Sequence, residues 1–178
     1  EAYALEVAAG ILDGGNSARF SSRLVRGRQI AASAGAGYDL YSRLSNLFTL
    51  EGTPVQGKPV TELETALLDE VRRLREEPIA AEELQRVKAQ VLASHVYQLD
   101  SIFYQAMQIG TAETVGLGWK KVQEYVDKVN AVTAEQVQKV AQKYLVDDRL
   151  TIAHLEPLPL PEGAPAPEDA AVGGSHVR

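Results

Sequence analysis

Between residues 14 and 38 the sequence reads GGNSARFSSRLVRGRQIAASAGAGY, and this stretch limits the possible fold more than any other. A Gly-Gly break is followed by a short arginine-rich helical run, which leads straight into a strand of small residues. Arg19, Arg23 and Arg26 recur at +4 and +3, so an α-helix places them on one face, with Leu24 as its apolar anchor. The next segment, Ile30 to Tyr38, is mostly Ala and Gly, which bring little side-chain packing to a sheet. Such a strand suits a place where a packed helix or an extended peptide must approach the backbone.

The surrounding pattern alternates helices with a strand pair. Residues 2–12 are apolar with small polar interruptions and stop at Gly14-Gly15, a helix C-terminal signal. Asn16 or Ser17 is placed to cap the short helix, which runs to about Gly27. Strands are expected over 30–38 and 45–52, then a loop marked by Pro54, Gly57 and Pro59. Thr61-Glu62-Leu63-Glu64 has the form of a capping box for a helix that ends near Pro78. A longer helix opens near Ala80, with Leu84, Val87, Val91, Ile102, Ala106 and Ile109 as apolar positions and weak periodicity from His95 to Ser101. Helices over 119–130 and from Thr133 to Tyr144 follow, then a strand from Arg149 to Leu155. From Pro157 the Pro/Ala-rich composition cannot bury enough surface to order itself, so residues 157–178 are expected to be a flexible tail and 1–156 the domain. This order gives an α+β class, with helices packed on one face of a mostly antiparallel sheet.

Composition excludes several functions. At 178 residues there is room for one ordinary domain. A net charge of −6 argues against nucleic acid as the main partner. Acidity is concentrated in residues 61–110, with 9 acids to 5 bases, against 5 to 6 in residues 1–60, so the arginine region is locally basic. No apolar run approaches a membrane span. Cysteine is absent, which removes thiolate chemistry and cysteine-ligated zinc. The one methionine is Met107 and the chain opens inside a helical pattern, as a piece of a longer protein would.

The order Gly-Gly, Ser21-Ser22-Arg23-Leu24, a basic stretch, Ile30-Ala31-Ala32-Ser33-Ala34 and a strand resembles the second half-domain of the M16 peptidases (pitrilysin, insulinase and mitochondrial processing peptidase). The helix from Val60 to Glu77, the acidic opening Ala80 to Leu84, Val132-Thr133-Ala134-Glu135-Gln136-Val137, Lys143-Tyr144-Leu145 and Arg149 to Ala153 agree with it. The resemblance covers roughly residues 2–157. It implies a half-domain whose first strand or strands precede Glu1. Peptidases of this family hold zinc with an inverted His-x-x-Glu-His motif, which sets two ligands and a general base on one helix. Here His95, His154 and His176 are far apart and none has that context, so neither a catalytic nor a metal residue is assigned. By resemblance, zinc is expected in the N-terminal half-domain of the same parent chain or in a partner chain.

Active members also carry an Arg and a Tyr in a pattern like Leu-Arg-x-x-x-Gly-Leu-Ala-Tyr, which reaches the substrate. The matching window, Leu24 to Ala32, puts Val25 at the arginine position and Ala32 at the tyrosine position. A second M16 chain is therefore expected to supply the pair. Candidate contacts to a peptide or a partner are Arg23, Arg26, Ile30, Ala32 and Tyr38. The bland alternatives are a solvated arginine face balanced by the middle helices, and helices seated close on the small-residue strand. Trp119 and Tyr125 read as packing residues, and Glu82-Glu83 as acids favoured at a helix N-terminus. The resemblance implies a non-catalytic C-terminal domain that closes a peptide chamber and supports substrate binding and assembly. The other reading is a structural assembly domain of a wholly inactive homologue. Resemblance alone favours periplasm over cytoplasm, and no residue fixes the compartment.

Overall fold

The structure, a computed structural model, describes residues 1–157, so the tail expected beyond them lies outside the described residues. Helix α1 (Ala2–Asp13) is the centre of the domain. It is apolar nearly all round, as a helix enclosed on every side must be, with Ala4, Leu5, Val7, Ala8, Ile11 and Leu12 buried. Strands β1 (Ala31–Tyr38) and β2 (Phe48–Pro54) form an antiparallel pair, in which Gly35 faces Glu51 and Tyr38 faces Phe48. Helix α1 packs on β1 and α2 (Val60–Glu76) on β2, which gives the expected α+β arrangement.

Helix α3 (Ala81–Gln98) crosses α1 where a glycine allows it. A side chain at Gly10 would put its Cβ 2.8 Å from Val87 Cγ1, so only glycine permits this approach. Arg86 and Gln90 of α3 then donate to the Gly14 carbonyl at the end of α1, at 3.0 and 2.8 Å. Within the weakly periodic stretch from His95 to Ser101 the helix breaks at 99–101, after which α4 (Ile102–Thr114) turns away, with the Ser101 side chain accepting from the Tyr104 amide. Helices α5 (Lys120–Asn130) and α6 (Ala134–Tyr144) close the core through Val129, Val137, Val140 and Ala141. Thr133 and Gln136 form a capping box at the start of α6.

Four local expectations need correction. Thr61 to Glu64 do not cap α2, because the chain enters the helix earlier, with Pro59 as the cap and no side-chain bond there. The hydroxyl of Thr65 instead donates to the Thr61 carbonyl inside the helix. Asn16 and Ser17 do not cap the arginine segment, which begins beyond a turn with Arg19 in the cap position. Ile102, Ala106 and Ile109 lie on exposed positions of α4 rather than in the core. Arg149 ends a short 3-10 turn, and residues 150–157 pair with no strand among the described residues. A strand is a paired state, and apolar alternation without a partner leaves that segment on the surface.

Candidate functional site

The arginine run does not form an α-helix. Phe20–Gly27 winds as a π-helix, the wider turn that recurs at functional sites, with the Arg28 amide donating to the Arg23 carbonyl at 2.8 Å. Phe20 and Leu24 point inward and are fully buried. Gln29 then takes a φ of 51°, the one positive value at a non-glycine among the described residues, and Ile30 returns into the core at 2% exposure.

The arginines pair directly with the acids of the middle helices. Arg19 is buried and makes two bonds to Glu83, Nε to Oε1 and Nη2 to Oε2, both at 2.8 Å. That bidentate pair holds the Glu83 carboxyl below the usual carboxylate range. Glu83 is therefore more than a favourable helix N-terminal acid. Arg23, half-exposed, donates to the buried Glu70 at 2.7 Å. Arg26 donates to the Asn16 carbonyl and is exposed. Most of the basic face is thus neutralised within the domain.

Strand β1 has two unlike edges. One is paired to β2. On the other, the Ala36 amide donates to Asp13 Oδ2 at 3.2 Å, so the last residue of α1 fills a position where a neighbouring strand would place a carbonyl. Ala34, Ala36 and Tyr38 also pack partly against the core, and burial pushes the Tyr38 phenol up. The small residues have a local cause. A Cβ on Gly35 would lie 2.9 Å from the side chain of Glu51 and 3.4 Å from Asp13 Oδ2. Ala32 faces outward. A cleft of about 440 Å³ is lined there by Asp13, Ser33, Gly35, Glu51 and Thr53. The five candidate residues therefore divide. Ile30 lies in the core, Arg23 lies on Glu70, and Arg26, Ala32 and Tyr38 are spread along the segment and its strand. Asp13 was not singled out from sequence, although an acid just before Gly-Gly is placed to reach back from a helix end.

Residues 1–91, just over half of the chain, match the family model described as the Peptidase M16 inactive domain. The chain belongs to the M16 peptidase family. No curated protein matches the sequence. Three solved structures share the M16 fold seen here. One is the inactive peptidase domain of a candidate zinc protease from Bordetella parapertussis, at TM-score 0.72 and 24% identity, covering 92% of this chain and 86% of that one. Another is a candidate zinc protease from Bordetella pertussis Tohama I, at 0.71 and 21%, covering 83% and 80%. The third is a protease from Helicobacter pylori, at 0.72 and 20%, covering 83% of this chain but only 35% of that one, so the chain spans about a third of its length.

The M16 model that matches is that of the inactive domain, which assigns no catalysis to this segment. Its residues do not fit a zinc ion: among those described, no group of three or more His, Asp or Glu could hold a metal. His154 Nε2 lies 2.7 Å from Glu64 Oε2, on a different element from His95 of α3. Val25 packs partly on the core and Ala32 is exposed; neither side chain carries a donor. Among the described residues no helix is long and apolar enough to cross a membrane.

Proposed function

We propose that this M16 chain is the non-catalytic C-terminal half-domain of a zinc-dependent metallopeptidase, closing one side of a peptide chamber and helping to hold extended substrate. Residues 1–156 are the working domain, and zinc resides in the N-terminal half of the same parent. The reading is carried by the outer edge of β1, where the Ala36 amide is turned away from β2 and, among the described residues, is met only by Asp13. An extended peptide added there would displace the carboxylate with its own carbonyl and take backbone bonds from alternate residues of β1.

The missing donors support a shared site. Val25 and Ala32 cannot stabilise a substrate carbonyl or a developing oxyanion, so a second M16 chain supplies the Arg and Tyr. Assembly is supported by the α3–α4 hairpin. Residues 89–112 hold a single carboxylate, Asp100, and no Lys or Arg. Tyr97, Ile102 and Phe103 stand 77, 84 and 79% exposed there. That face, with one carboxylate and no Lys or Arg, is offered to the remainder of a longer chain.

The peptide reading is tested by following the β1 amides by NMR while an extended peptide is titrated in. The Ala36 amide is expected to move furthest, and Asp13→Ala, which frees it, to tighten binding. Shifts confined to other elements, or peptide affinity unchanged in Asp13→Ala, would refute strand addition at this edge.

A further inference from the structure

Away from the arginine segment, α1 carries one acid among its inward residues. The Tyr125 hydroxyl of α5 donates to Glu6 Oε1 at 2.8 Å. Glu6 Oε2 is sealed from solvent and meets no donor among the described residues. An ionised carboxylate in that position loses its hydration and recovers one hydrogen bond, whereas the neutral acid gives up much less. The neighbours do not compensate. Asp39, just after β1, adds a second negative charge, and Tyr3 of α1, Tyr38 of β1 and Tyr41 of the 39–47 connection face Glu6 as neutral phenols. Tyr104 of α4 stands behind them, against Tyr41 and Tyr125. Lys121, with Glu124 as its partner, acts on Tyr3 and not on Glu6.

We propose that Glu6 is a proton-dependent switch: the fold holds it as the neutral acid, and loss of its proton to water leaves a carboxylate with one donor, Tyr125, and an unpartnered Oε2, which destabilises the packing of α1 against α5. Burial, with Asp39 added, pushes the Glu6 carboxyl up, and the Tyr125 bond offsets this only in part. Burial likewise pushes the Tyr41 phenol up to about 12, so it stays neutral while Glu6 titrates. The folded chain therefore binds more protons than the unfolded one between the usual carboxylate value of 4.5 and the raised folded value. Stability from this site is complete below that window, falls as pH rises through it, and is flat above. Glu83, held low by Arg19, acts in the opposite sense and in a separate window, losing stability as pH falls below the usual value. The switch does not depend on the peptide reading.

The test is carbon-13 NMR of the Glu6 carboxyl in the 178-residue chain, with amide spectra and urea unfolding at each pH. The carboxyl should titrate above 4.5, and amides of α1 and α5 around it should move with the same midpoint. The folding constant should fall about tenfold for each pH unit by which that midpoint is raised. Glu6→Gln should remove the fall, and Tyr125→Phe, which deletes the one donor, should raise the midpoint further. A midpoint at or below 4.5, amides of α1 and α5 that ignore it, an undiminished fall in Glu6→Gln, or a Tyr125→Phe midpoint that does not rise would each overturn the switch.

Discussion

The two halves of α3 face different surroundings. Its first half is built into the domain, with Glu83 holding Arg19, Val87 seated against Gly10, and Arg86 and Gln90 closing the end of α1. Its second half, and α4 after it, leaves Leu92, Val96, Tyr97, Ile102 and Phe103 on the surface. The residues matching the M16 model stop at 91, close to where α3 leaves the core. One continuous helix thus serves as scaffold at one end and as an uncovered apolar surface at the other. Apolar composition alone does not mark a core; what marks it here is the set of partners on α1.

That contrast gives the largest expected effect to Phe20, fully buried in the π-helical segment. Phe20→Ala should cost about 3–5 kcal/mol, through lost burial and the cavity left behind. Next comes Arg19, whose removal leaves Glu83 without its bidentate partner. Arg19→Met should cost about 3 kcal/mol, most of it regained in the double variant with Glu83→Leu. The single variant should also lose the part of acid destabilisation that Glu83 supplies as pH falls below the usual carboxylate range. Urea unfolding of the three proteins between acid and neutral pH measures both effects. The smallest effect belongs to the hairpin: Phe103→Ser should leave stability within about 0.5 kcal/mol in the 178-residue chain. A cost for Phe103→Ser comparable to that of Phe20→Ala would show that the hairpin is packed in solution and would dissolve the contrast.

Local signals carried much of this architecture. Gly14-Gly15 ends α1, the small-residue run is a strand, the helix breaks at 99–101, and Thr133 with Gln136 forms a capping box. Each of these depends on residues within a few positions of one another. What stayed hidden depends on distant partners. Arg19 finds Glu83 across 64 positions and Arg23 finds Glu70 across 47, so their spacing alone suggested a solvated face. The π winding of the arginine segment leaves no period to read in eight residues. Glu6 did leave a trace, being the one charged residue of α1 before its final Asp13. Arg149 to Leu155 shows the converse, a run with strand character but no strand beside it among the described residues.

The central claim is that this half-domain contributes to peptide hydrolysis without performing it. The direct measurement is turnover of an extended peptide by this chain alone, by the proposed zinc-holding N-terminal half alone, and by the two together with the second M16 chain proposed above. The account predicts no turnover from this chain alone, little from the zinc half, and full activity only in the complete assembly. Chelator-sensitive turnover by the isolated chain, or a zinc half equally active without it, would contradict the account.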